Sequence, residues 1–334
     1  MKRIFCSISN INTQNKINTF YDLGVLWIEF HKEKIKMSTY TKYMYLLQKH
    51  IYPVMGSLKL KMLNSAVVDQ TLFTIYHDRP DASLSWSTMK TILFLVKAIL
   101  NYGNKLHYIN NIDVNFGISM KKSNKIVVIS PEEQEILIRH TLSHFSDSTL
   151  GTSIALFTGT RLGEICALQR KDIDFCNGIL HVTKTVQRLK CEDASGDGKS
   201  KLIVTLPKSY ESYRDIPIPE ILIEYMKIYG IPELDEHLYI LGRRTYPYEP
   251  RTLQYGFSSI LKKCRLPHYT FHTLRHTFAT KCIRLGFDTK TLSEILGHSN
   301  VNFTMNQYVH SDIECKKSQM HLLDTFAPVI SQNC

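Results

Sequence analysis

Three nitrogen-rich side chains crowd into five residues of the segment FHTLRHTFAT, residues 271–280: His272, Arg275 and His276. On a helix His272 and His276 are i, i+4 and share a face, and Arg275 lies beside His272 at i, i+3. Such a face could hold a metal, hold an anion, or meet only solvent. The histidine spacing is that of an H-E-x-x-H zinc helix, but Thr273 stands where the general-base glutamate would be. Two histidines on one helix do not make a zinc shell, so no metal is expected. Phe271, Leu274 and Phe278 interleave with the polar residues, which makes the helix partly buried rather than a solvated surface. A histidine donor beside a forked guanidinium suits a tetrahedral anion. Other segments supply partners. FTGTRLGEICAL brings Arg161 near a helix start, where anions are favoured. TLPKSYESYRDIPIP brings Lys208, and LGHSNVNFTMNQYVH brings His298 and Tyr308.

Two groups of elements must position these residues. Residues 17–119 read as four helices. Phe20, Leu23, Trp27 and Phe30 fall at helical spacing, as do Tyr40, Met44, Leu47 and Ile51, with Ser38 or Thr39 as the expected cap and Pro53 and Gly56 as the stop. A third helix is expected after Asn64, carrying Val68, Leu72 and Ile75, and a fourth from about Ser85, carrying Met89, Ile92, Val96 and Leu100. Residues 120–129 read as a basic linker. Ser130-Pro131-Glu132-Glu133 then opens a helix with a cap, a proline at the first position and a capping-box glutamate. In residues 130–334, STLGTSIALFTGT reads as a helix ending at Gly159; GILHVTKTVQRL, KLIVTLP and YRDIPIP read as strands, and a polar hairpin tip lies around residues 190–200. From Pro219 onward the pattern is helical again. The fold class expected is mainly α with a small antiparallel β-sheet.

Length and charge narrow the partners. A chain of 334 residues is expected to form two domains with a core each. No apolar run is long enough to span a bilayer, and the opening residues 1–16 lack the apolar core of a signal peptide, so no membrane association is expected. The eight cysteines form no C-x-x-C pair, which fits a reducing cytoplasm. Residues 1–127 hold 17 Lys and Arg against 7 Asp and Glu, so +10 of the net +11 sits in the first third. That asymmetry points to a polyanion-gripping lobe joined to a near-neutral lobe with another task. Lys34, Lys36, Lys42, Lys49, Lys59, Lys61, Lys90 and Lys97, with the linker residues Lys121, Lys122 and Lys125, are the pool for phosphate contacts.

The ordered set TGTRLGE, LPKS…RDIPI, HTLRHTFAT, LGHS and the later Tyr308 resembles the tyrosine recombinases, the phage-integrase family. Two arginines, a lysine, two histidines and a tyrosine stand in the family's order. The resemblance covers the whole C-terminal half and extends to the N-terminal helices, which look like the family's SAM-like core-binding domain. The hairpin tip is similar to the β-insertion of conjugative-transposon integrases. The resemblance implies that Tyr308 attacks a phosphodiester of double-stranded DNA and becomes joined to the 3′-phosphate. His272 is then the base, Arg161, Arg275 and His298 stabilise the non-bridging oxygens, and Lys208 protonates the leaving 5′-oxygen. Glu164 is expected to buttress Arg161 and the lysine, His276 to be structural or to support the catalytic residues from behind, and Arg214 to pair with Asp215 or the DNA backbone.

No cofactor and no Mg²⁺ are expected, since a phosphotyrosine retains the energy of the ester and the sequence shows neither a P-loop nor an acidic metal cluster. The resemblance further implies two lobes closing around DNA, a C-terminal helix (residues 314–330) docking into a neighbouring protomer of a tetramer, directionality or host bending factors, and a cytoplasmic, nucleoid-associated location. An integrase of a mobile element is the reading preferred over a Xer-type resolution recombinase, a type IB topoisomerase, or a DNA-binding regulator without catalysis. Two departures are expected to matter. The core-binding helices begin near residue 17, leaving no room for an arm-site-binding domain, and NNIDVN stands where the family has Asn-Pro.

Overall fold

The computed structural model describes residues 17–77, 84–117, 127–190, 200–206 and 212–298. Lys121, Lys122, Lys125, Lys208, Tyr308, the tip of the hairpin and the C-terminal helix lie outside the described residues. The chain divides into two compact units, one made largely of residues 1–124 and the other largely of residues 125–334.

The first unit is helical. Helix α1 (Phe20–Lys32) opens on a reciprocal cap: Thr19 accepts from the Asp22 amide, and the Asp22 carboxylate accepts from the Thr19 amide at 2.9 Å. Helix α2 (Met37–Leu46) starts earlier than the hydroxyls suggested. Lys36 is its N-cap and the Thr39 amide already donates to the Lys36 carbonyl, so Ser38 and Thr39 sit inside the first turn and cannot cap it. Nor does Pro53 stop this helix. The chain passes through one π-helical turn, Leu47–Ile51, into α3 (Tyr52–Met55), where Pro53 occupies a first-turn position. A wide turn followed by a first-turn proline accommodates the missing N–H, and the run ends only at Gly56. Helices α4 (Ser65–His77) and α5 (Trp86–Lys105) follow, the latter capped by Ser85.

Leu23, Leu47, Ile51, Val68, Leu72, Met89, Ile92 and Val96 form the centre of the first core, each fully buried. Phe30, read as the last member of the α1 stripe, instead emerges half-exposed against Tyr102, ring centroids 5.3 Å apart. Lys42, Lys49, Lys90 and Lys97 are all exposed. Lys49 reaches the Tyr45 hydroxyl at 2.7 Å, and Lys90 lies over the Trp86 ring.

The second unit is built around α7 (Asp147–Thr158), in which every residue from Thr149 to Ala155 is buried. Helix α6 (Pro131–Ser143) precedes it with the Ser130 capping box, and α8 (Leu162–Ile165) follows. A three-stranded antiparallel sheet has the order β1 (Ile173–Asp174), β2 (Ile179–Val182), β5 (Arg214–Pro217), while β3 (Thr185–Lys190) and β4 (Ser200–Thr205) pair separately. The run GILHVTKTVQRL, expected as one strand, is therefore two strands in two sheets. The break falls where Lys184 turns inward to Asp172, at 3.2 Å, and no longer follows the pleat. Helices α9 (Glu220–Ile228), α10 (Pro250–Lys263), α11 (Phe271–Arg284) and α12 (Thr289–Leu296) complete the unit.

Gly159 sets how closely these helices approach. It caps α7 with φ +65°, and a Cβ there would come within 2.5 Å of the Phe278 ring on α11 and 2.9 Å of Leu296 on α12. Only glycine permits both the left-handed turn and the contact.

Candidate active site

The start of α8, strand β5, helix α11 and the end of α12 bring seven of the expected residues together: Arg161, Glu164, Arg214, His272, Arg275, His276 and His298. Arg161 is the N-cap of α8. Its amide donates to Glu164 Oε2 at 2.8 Å, its Nη1 to Glu164 Oε1 at 2.8 Å, and its Nη2 to the Gly297 carbonyl at 2.9 Å. Arg275, on α11, is 2% exposed and spans two elements: Nη1 donates to the Gly159 carbonyl at 2.8 Å and Nη2 to the Leu296 carbonyl at 2.7 Å. His272 lies one turn earlier on α11, with its ring edge-to-face against His276 at 4.5 Å. His298 follows α12 directly, and its amide donates to the Ser293 carbonyl.

The electrostatics of this cluster favour an anion. Glu164 is buried, and burial alone would raise its pKa. Arg214 first and Arg161 next overcome that cost and hold it at about 2. Desolvation and the charges of Arg275, Arg161 and Arg214 lower His298 to about 3. Desolvation, His276, Arg275 and Arg161 lower His272 to about 4, although part of its ring still reaches solvent. Both imidazoles are therefore neutral at pH 7. Arg161 and Arg214 face the Glu164 carboxylate and Arg275 lies beside them, so among the described residues the cluster holds three guanidiniums and one carboxylate, a balance that a bound phosphoryl group would suit. A neutral His272 can take a proton, and an anion beside it would raise its basicity. Among the described residues no three His, Cys, Asp or Glu side chains converge to hold a metal.

Arg214 corrects the sequence reading. It does not pair with Asp215, which faces His181 across the β2–β5 register at 2.6 Å. Its side chain is 5% exposed and is turned towards protein acceptors. It binds Glu164 through Nη2 at 2.8 Å and Nη1 at 3.2 Å, and the Ile295 carbonyl through Nε at 2.6 Å. The overlooked signal was strand parity: Arg214 shares its face of β5 with the buried Ile216, whereas Asp215 points the other way. Two other tyrosines of the second unit, Tyr269 and Tyr255, lie outside this cluster. Tyr269 donates to Glu133 at 2.8 Å, and Tyr255 is largely exposed on α10.

The profile of the Phage integrase family matches residues 127–314, and that of the Phage integrase N-terminal SAM-like domain matches residues 19–72. The chain belongs to the phage integrase family. As a member it is a tyrosine-type site-specific recombinase, with a SAM-like N-terminal domain and a mixed catalytic domain. It is 27% identical over 338 residues to a XerC-like tyrosine recombinase of Caldanaerobacter subterraneus subsp. tengcongensis, covering 90% of this chain and 82% of that protein. It is 27% identical over 217 residues to the transposase from transposon Tn916 of Enterococcus faecalis, covering 59% of this chain but only 51% of that protein. The fold is similar to that of the Tn1549 transposon integrase in complex with transposon right end DNA: TM-score 0.74, 22% identity, 92% of this chain and 99% of that one. It is also similar to a lambda integrase dimer bound to a core site: TM-score 0.62, 18% identity, 91% and 81% covered.

The Glu164 triad makes a testable stability prediction. Its folded pKa of about 2 lies below the ordinary 4.5, so its contribution is fully present above about pH 5 and is lost as pH falls towards 2. The lowered histidines act in the same direction over a higher window, between about 6.5 and their folded values. In Glu164→Gln the fall in denaturation free energy between pH 4.5 and 2 is expected to shrink, because only the glutamate limb is removed. At pH 7 the variant is expected to lose roughly 3–5 kcal/mol, since Arg214 is left buried without its counter-charge. Urea denaturation at a series of pH values measures both; an unchanged acid limb would refute the assignment.

Proposed function

We propose that this chain cuts and rejoins double-stranded DNA at a specific site through a 3′-phosphotyrosine at Tyr308, and that it integrates and excises a mobile genetic element. One observation carries the reading: Arg161 and Arg275, joined to successive carbonyls at the end of α12, share a cluster with His272 and His298, whose pKa values burial and the neighbouring guanidiniums lower.

The chemistry follows from charge. A free phenol has a pKa of about 10, so about one in a thousand is ionised at neutral pH. Tyr308 therefore gives its proton to His272 as its oxygen bonds to phosphorus. The phosphorus–O5′ bond breaks, and Lys208 supplies the proton that makes the leaving oxygen a hydroxyl. Arg161, Arg275 and the His298 donor hold the non-bridging oxygens while the pentacoordinate state carries its extra charge. A 5′-hydroxyl of another strand reverses the step, so the atoms balance without ATP or a metal. The exposed Lys42, Lys49, Lys90 and Lys97, together with Lys121, Lys122 and Lys125, supply phosphate contacts. Four protomers assemble on two duplexes, each lending its C-terminal helix to a neighbour. Directionality and host bending proteins set the outcome, in the cytoplasm on the nucleoid.

The two named relatives frame the biological role. The Tn916 transposase supports a mobile element, whereas the XerC-like protein, matched over most of its length, supports chromosome or plasmid resolution. The deciding experiment uses nicked duplexes tiled across the flanks of the source locus. Detergent-stable adducts at the ends of an element, with four-way junctions from paired duplexes, are the expected result. Adducts at a single chromosomal site would favour resolution, plasmid relaxation without junctions would favour a topoisomerase, and no adduct at all would overturn the reading.

A further inference from the structure

Three successive carbonyls at the end of α12 are each held by a different arginine. Ile295 accepts from Arg214, Leu296 from Arg275 and Gly297 from Arg161, at 2.6, 2.7 and 2.9 Å. A helix leaves its last carbonyls without intrahelical partners, and they carry the negative end of its dipole. Two of these arginines are the ones assigned above to phosphate. The third has another geometry. Arg214 sits on β5 with its Nη pair against Glu164 and its Nε against α12, while the same Glu164 holds Arg161.

We propose that Arg214 is a positioning residue of the strand-cleavage reaction. It fixes the direction of the Arg161 guanidinium through Glu164, and it fixes the start of the segment bearing His298 and Tyr308 through the Ile295 carbonyl. This rests on the reading of the site given above. A planar guanidinium is required because its donors point in several fixed directions at once. Arg214 serves both oxygens of Glu164, the Ile295 carbonyl and the Ser212 carbonyl, the last at 3.2 Å. A lysine could neutralise Glu164 but could not also fan out to α12. Its donors are directed at Glu164 and at backbone carbonyls, which suits a residue that aims other groups.

The test compares Arg214→Lys and Arg214→Gln with the unaltered chain. Arg214→Lys keeps a charge beside Glu164 and is the variant on which the test rests should Arg214→Gln fail to fold. Two quantities are read at a temperature well below each variant's Tm: the Kd for an intact duplex, and the single-turnover rate constant for adduct formation on a nicked duplex at saturating protein. The rate constant is expected to fall about tenfold in Arg214→Lys and about a hundredfold in Arg214→Gln, with Kd unchanged within about threefold. A purely structural role would lower Tm without moving the rate constant of folded protein. Wild-type cleavage by folded Arg214→Lys would overturn the proposal, and so would a loss carried by Kd, which would make Arg214 a DNA contact. Absence of an adduct from the unaltered chain would instead refute the underlying assignment of the site.

Discussion

Tyr308→Phe is expected to bind its DNA site as tightly as the unaltered chain and to form no covalent adduct. Phenylalanine keeps the ring and loses only the oxygen, so packing is conserved while the bond-forming atom is gone. Three tyrosines of the second unit are poor replacements. Tyr269 is engaged with Glu133, and its pKa is raised by partial burial and by that carboxylate. Tyr225 and Tyr229 are likewise raised and bond to Thr149 and Asp147. Loss of a nucleophile that forms the covalent bond is expected to lower cleavage by a thousandfold or more, on the order of what such deletions cost. The measurement is the detergent-stable adduct on a nicked duplex beside a mobility-shift Kd. An undiminished adduct in Tyr308→Phe would move the nucleophile to another residue and leave the family assignment intact.

Arg275→Lys is expected to lower the cleavage rate constant by roughly a hundredfold to a thousandfold at saturating DNA, the range for losing a preorganised oxyanion donor. The residue has two tasks that lysine cannot combine. Its guanidinium joins α7 to α12 by donating to the Gly159 and Leu296 carbonyls, and its charge depresses both His272 and His298. Lysine retains the charge but not the fork. One buried carbonyl is then left without a donor, which should also cost about 1–3 kcal/mol of stability. Tm and single-turnover kinetics on the same preparation separate the two losses. A variant that loses Tm but cleaves at the normal rate would make Arg275 a structural strut and remove it from the chemistry.

The helices were legible because their determinants are local. Ser130, Pro131 and Glu133 encode the opening of α6 within four residues, and Gly159 encodes the end of α7 by its freedom to take positive φ. Pro53 misled for a related reason. A proline is a breaker only if the turn before it cannot widen, and the π-helical turn at Leu47–Ile51 widens it. The split of GILHVTKTVQRL into two strands depended on Asp172 attracting Lys184 from twelve residues away, a contact that no alternation pattern records.

By itself the sequence determined the helical first region and the mixed second one, the uneven charge, and the order of the arginines, lysine, histidines and tyrosine proposed to act on a phosphodiester, because each of these follows from residue type and short-range spacing. Tertiary structure alone decided where the arginines point. Arg161, Arg214 and Arg275 are separated by 53 and 61 residues, yet they converge on Glu164 and the three carbonyls ending α12. A guanidinium is aimed by its acceptors, and those acceptors are backbone oxygens, which every residue carries and no sequence pattern can single out before the chain has folded.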